Sequence, residues 1–159
     1  MLELDDSTGY LKAGVHEATL EELAAAFGAV NFRRRAIMDG LRWVVERLRN
    51  YGVETIWVDG SFLTSKERPG DVDVVYVPPD GADTGTWGYL SFPNRRELKK
   101  LKKVDLWPHP SPQRRGLGAI PLIEWFQTDE DGVAKGVLLL IKEEEDSPDD
   151  QERSPTVAG

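Results

Sequence analysis

The stretch TIWVDGSFLTSKERPGDVDVVYV, Thr55 to Val77, decides how this chain folds. It opens with an apolar run, Ile56-Trp57-Val58, that ends at Asp59-Gly60-Ser61. It closes with a second run, Val72 to Val77, that begins at Asp71-x-Asp73. Both runs are β-branched and aromatic and are bounded by Gly and Pro, which predicts two strands. The side-chain period on a strand is two, so Asp71 and Asp73 share a face, with Cα atoms roughly 6–7 Å apart. Val72, Val74 and Tyr76 take the other face. Two carboxylates side by side repel unless a cation lies between them, and oxygen-only ligation of this kind suits Mg²⁺ or Mn²⁺.

Ser61 and Asp71 are joined by a segment that accommodates one short helical turn, Phe62 to Glu67, and a Pro69-Gly70 turn. If the two strands are antiparallel neighbours, Gly60-Ser61 and the Asp71/Asp73 pair share one rim. Gly60 lets the backbone approach a ligand closely. The turn from Ser61 offers free N–H groups to an anion. One rim would then hold a phosphate cradle beside a metal clamp.

Gly-Ser followed by Asp-x-Asp on an apolar strand resembles the signature of the polymerase-β-like nucleotidyltransferase superfamily. The chain also resembles small bacterial nucleotidyltransferase-like proteins. The likeness lies in Gly-x-His-x-Ala-Thr-x-x-Glu (Gly14 to Glu22), Asp-Gly-Ser-Phe (Asp59 to Phe62), Phe-Gln-Thr-Asp (Phe126 to Asp129), and Lys135-Gly136 with the apolar run to Ile141. It implies an α+β fold, a small mixed sheet packed on helices, over residues 1–142. It implies that Asp71 and Asp73 are catalytic metal ligands for Mg²⁺ or Mn²⁺, with Asp105 as the third carboxylate. Gly60 and Ser61 would contact the phosphates of a nucleoside triphosphate, and Lys66 lies close to that cradle. The reaction implied moves a nucleoside monophosphate onto a hydroxyl of a protein or RNA. Such small relatives occur in two-gene toxin–antitoxin loci, so the partners implied are a neighbouring gene's protein or tRNA. The alternative is a catalytically silent binding module of the same fold, of the antitoxin type.

Composition agrees with a single globular domain: 40% apolar and 30% charged residues, with a net charge of −8. That charge argues against a protein that coats nucleic acid generally. The lack of cysteine excludes disulfides and thiolate metal sites and suits a cytoplasmic chain. Neither a signal peptide nor a membrane-length apolar run is evident. Residues 143–159 carry seven acids against one base and are expected to form a disordered acidic tail.

Along the rest of the chain, residues 1–17 read as an irregular arm. Thr19-x-x-Glu22 is a capping box for a short helix to Phe27. Asn31 caps a longer helix, Phe32 to Asn50, with Ile37, Leu41, Val44, Val45 and Leu48 at helical spacing. Arg33, Arg34 and Arg35 read as a solvated first turn, with a phosphate or partner contact as the alternative. Asn94 caps a basic helix, Arg95 to Lys103, with Leu98 and Leu101 inward. Its six Lys and Arg form either a solvated face or a docking surface for phosphates, RNA or an acidic partner. Strands follow at Val104–Trp107 and Gly136–Lys142. Between them a loop over 108–118 and a short helix over Leu122–Phe126 are expected. His16 and His109 read as non-catalytic. Lys135 is either structural or close to the nucleotide.

Overall fold

In the computed structural model, residues 2–109 and 127–143 are described. Five strands form one mixed sheet: β1 (Gly14–Ala18), β2 (Ile56–Asp59), β3 (Val72–Tyr76), β4 (Val104–Pro108) and β5 (Gly136–Leu140). Their spatial order is β1-β5-β2-β3-β4. β2 runs antiparallel to both β3 and β5, while β1 lies parallel to β5 and β3 parallel to β4. Three α-helices accompany the sheet: α1 (Leu20–Leu23), α2 (Phe32–Asn50) and α3 (Arg95–Lys102). The architecture is therefore α+β with a mixed sheet.

Alternation in the strands splits the sheet into two unlike faces. Ile56, Val58, Val72, Val74, Tyr76, Val104, Leu106, Leu138 and Leu140 pack with Ile37, Leu41, Val44, Val45 and Leu48 of α2 in the main core. Burying each such side chain contributes about 1.5–3 kcal/mol, so this face fixes strand register. A slip of one residue would turn every one of them outward. The opposite face carries Trp57, Val75, Trp107 and Val137 and, nearer one rim, Asp59, Asp73 and Asp105.

The helix boundaries follow their capping chemistry. Thr19 Oγ1 accepts from Glu22 N at 3.1 Å, and Glu22 Oε1 accepts from Thr19 N at 2.9 Å, completing the capping box. The helical path continues from α1 to Gly28 with π-type bonding. Asn31 Oδ1 accepts from Arg34 N at 2.9 Å at the start of α2. α3 begins without the expected side-chain cap. Asn94 instead donates from Nδ2 to Gly88 O at 2.7 Å, because a short 3-10 turn, Phe92–Asn94, leads into the helix.

Three further sequence expectations are corrected. The supposedly irregular arm contains β1, which among the described residues is an edge strand that pairs only with β5. The same arm folds back through a Leu4–Leu11 bridge and touches the loop after β2 through a Tyr10–Thr64 bridge. Arg34 is not solvated: it is 3% exposed. Leu101 is exposed, because α3 turns Leu98 to the core and lays Lys102 4.6 Å from the Trp43 ring. The expected loop beyond His109, the helix over 122–126 and the tail beyond Glu143 lie outside the described residues. Among the described residues no helix is long and apolar enough to cross a membrane.

Candidate metal centre

Sheet register lines up three carboxylates. Asp59 on β2 faces Asp73 on β3, and Asp73 faces Asp105 on β4. Asp71, two residues before Asp73, joins them just ahead of the first residue of β3. Asp71, Asp73 and Asp105 each offer an oxygen within 4.8 Å of the others. The three residues expected to bind metal are thus brought together, Asp105 included.

Crowding and burial show in their protonation. Burial, reinforced by the charges of Asp71, Asp105 and Asp59, pushes Asp73 up to about 8. Burial likewise pushes Asp59 up to about 6, although Lys135 opposes it. A carboxyl held this far above its ordinary range stabilises its charge only when more positive charge arrives. That donor set, three oxygens from carboxylates and none from Cys or His, fits a hard divalent cation. Mg²⁺ or Mn²⁺ held by Asp71, Asp73 and Asp105 is chemically consistent with these residues.

Two cations from α3 already reach the cluster. Arg95 Nη1 lies 3.2 Å from Asp105 Oδ1, and Lys99 Nζ lies 3.2 Å from Asp71 Oδ2 and 3.9 Å from Asp105 Oδ2. Arg95 and Lys99 are four apart, so they rise from one face of the helix. The Arg95 guanidinium also stacks 4.3 Å from the Trp107 ring centroid, which holds it on the sheet. The basic helix is therefore divided. Arg95 and Lys99 serve the rim, and Arg96 and Lys100 are exposed.

The Gly-Ser turn sits against the same carboxylates. Gly60 has φ +103°, and a Cβ there would lie 3.0 Å from Asp73 Oδ2. Glycine is required on both counts, conformation and space. Ser61–Leu63 forms a short 3-10 turn, briefer than the expected Phe62–Glu67 helix. Arg34 holds this loop from beneath. Its Nη1 donates to Phe62 O at 2.7 Å and Phe27 O at 3.1 Å, and its Nη2 to Thr64 O at 2.8 Å and Lys66 O at 2.6 Å.

The match to a family model extends over residues 2–141. The chain belongs to DUF6932, a family of unknown function. The DUF6932 match spans every strand and helix described above. No curated protein and no solved structure matches the chain.

Three contributors escaped the sequence reading. Asp59 lay inside a quoted motif, yet only the β2–β3 register reveals that it stands opposite Asp73. Arg95 and Lys99 were legible as basic residues, but their i, i+4 spacing gains meaning only once α3 is seen beside β4. Lys66 lies on the loop near Ser61 rather than at the carboxylates. His16 Nε2 is 2.6 Å from Lys12 O, away from the rim, and His109 N donates to Tyr76 O at 2.8 Å.

Proposed function

We propose that this chain is a metal-dependent nucleotidyltransferase that moves a nucleoside monophosphate from a triphosphate to a hydroxyl of a protein or RNA. The observation that carries the reading is the convergence of Asp71, Asp73 and Asp105 within 4.8 Å, directly beside the Gly60-Ser61 turn. A divalent cation bound there would neutralise phosphate charge and act as a Lewis acid toward phosphorus.

The chain's own residues supply positioning. Asp71 and Asp73 would hold the metal of a metal–nucleotide complex at the rim, Asp73 giving up its proton as the cation arrives. Gly60 and the Ser61 hydroxyl present donors to the phosphates, and Arg34 fixes the loop that carries them. Asp105, oriented by Arg95, accepts the proton of the attacking hydroxyl. The hydroxyl oxygen bonds to the α-phosphorus as the bond to the departing diphosphate breaks, so pyrophosphate leaves and the nucleotidyl group stays on the acceptor. In phosphoryl chemistry of this kind, positioning and electrostatics supply most of the barrier lowering.

One observation favours a second reading. Arg95 and Lys99 already pair with Asp105 and Asp71, as in a rim whose charges serve structure alone. In that case the chain is a catalytically silent partner of another protein, of the antitoxin type. Incubation with α-labelled ribonucleoside triphosphates, Mg²⁺, total tRNA and the product of the adjacent gene separates the two. Label on an acceptor that is lost in Asp73→Asn is the outcome expected of the enzyme. Tight binding to the adjacent gene's product without label establishes the silent module.

A further inference from the structure

Beside the carboxylate rim, on the side away from α3, lies a hollow of about 390 Å³. Gly60, Ser61, Thr64, Ser65, Lys66 and Lys135 line it, and the turn Thr8–Tyr10 closes one side. Its charge is opposite to that of the rim: among the described residues, two lysines and no carboxylate line it. Thr64 is committed, donating to Ser61 O at 2.6 Å. Among the described residues, the hydroxyls of Ser61 and Ser65 and the ammonium of Lys66 have no protein partner. Asp129 stands near the Tyr10 side, but its oxygens are taken up by the Tyr10 hydroxyl at 2.7 Å and by the N–H groups of Asp131 and Val133.

Lys135 is the most firmly placed of these donors. Its backbone N donates to Gln127 O at 2.9 Å, and Gly136 N donates to Leu11 O at 2.9 Å. Gly136 lies so close to Lys12 O that no Cβ fits there. The strand start is thereby pinned from both sides, and the Lys135 side chain is four-fifths covered. Its ammonium lies 3.5 Å from Asp59 Oδ2, an oxygen that is buried and has no hydrogen-bond partner. The ion pair offsets the cost of burying that oxygen, and the same ammonium, which has three donors, belongs to a side chain that lines the hollow. The arrangement holds a cation in place without consuming it.

We propose that the hollow is a polyphosphate subsite and that Lys135, positioned by Asp59, is the cation at its inner end. The ligand class is a linear di- or triphosphate. That this polyphosphate is the tail of a nucleoside triphosphate rests on the nucleotidyl-transfer reading. Lys135 then balances the charge on the departing diphosphate from the side opposite the metal carboxylates, and Lys66 and the two free hydroxyls contact its outer oxygens. Asp59 is a positioning residue that acts through Lys135.

The experiment is calorimetric titration of the full chain with inorganic tripolyphosphate in Mg²⁺. Wild type is expected to bind, Lys135→Met at least tenfold more weakly, and Lys135→Arg within about threefold of wild type. Asp59→Asn is expected to weaken binding less than Lys135→Met. A merely structural ion pair would instead lower the melting temperature of Lys135→Met and leave its affinity unchanged. In wild type, tripolyphosphate is expected to protect Lys135 from amine acylation, read by peptide mass spectrometry, so the proposal does not depend on a variant that folds. No binding to wild type, equal affinity in Lys135→Met, or no protection would overturn it. Lys135-dependent binding without nucleotidyl transfer would leave the subsite standing and remove the transferase reading. Transfer that is insensitive to Lys135 would do the reverse.

Discussion

Two charged regions on either side of the Ser61 loop are solved in opposite ways. Arg34 is enclosed by four carbonyl oxygens and lies 5.2 Å from the Phe62 ring centroid. Both of its terminal nitrogens are used twice over. The rim made by Asp59, Asp71, Asp73 and Asp105 gathers like charges and pairs them incompletely. A satisfied buried charge organises the backbone. An unsatisfied cluster is a standing demand for a counter-ion, and a site that has to bind something is built that way.

The comparison can be broken first at Arg34. Arg34→Leu strands four carbonyls and unties the Ser61 loop. The expected loss of stability is about 3–5 kcal/mol, read as a lower urea midpoint at unchanged slope. A loss below about 1 kcal/mol would mean that the carbonyls find other donors and that Arg34 does not organise the loop.

Next comes the rim itself. Mn²⁺ or Mg²⁺ at about 100 times its dissociation constant is expected to stabilise the fold by about 2.7 kcal/mol. Calorimetric melting should show the gain in wild type and lose most of it in Asp73→Asn. An equal gain in both proteins would place the cation elsewhere.

A further effect follows from protonation in the presence of chelator. The Asp73 carboxyl titrates at about 8 when folded, against 3.8 ordinarily, and Asp59 at about 6. Between those values the folded state holds protons that the unfolded chain has released. Stability is therefore expected to fall as pH rises from about 4 to 8, and the fall to stop above the folded values. Asp73→Asn should flatten most of it, and a wild-type curve that is flat over this window would contradict the crowding described for the rim.

The smallest expected effect sharpens the role of α3. Lys99 is nearly half exposed, so Lys99→Gln should change stability by less than about 1 kcal/mol. It should nevertheless bind Mn²⁺ more tightly, because Lys99 and a metal compete for the same Asp71 oxygens. Weaker Mn²⁺ binding in this variant would make Lys99 part of the site rather than a placeholder.

These residues also explain which features could be read in advance. The β2–β3 hairpin and its carboxylates were legible, because period-two alternation and an Asp-x-Asp pair are local signals. Asp105 was legible through the resemblance and now sits in register with Asp73. β1 was not: Gly14-Val-His-Glu-Ala18 has little apolar character, and its pairing partner lies at the far end of the described chain. Three successive arginines look alike in sequence. Only the rotation of α2 over the Phe27 and Phe62 carbonyls singles out Arg34. Leu101 was misassigned because apolar spacing ignores the pull of the acidic rim and of Trp43 on the lysines around it. Asp59 and Lys135 are far apart in sequence, and no local rule joins them.

The pairing of β1 with β5, and of β5 with β2, bears on how the molecule is made. A ribosome releases β1 first, yet β1 has no neighbour in the sheet until residues 136–140 emerge. β5 then inserts between two strands that were synthesised long before it. Pairings of such high sequence separation are slow, because loop-closure entropy is lost before contacts compensate it. The nascent chain must carry an exposed β2 edge until that moment. Because Lys135 arrives with the same strand, the hollow beside the rim acquires its inner cation only when the sheet closes. An incompletely synthesised chain can display the carboxylates but not the finished pocket.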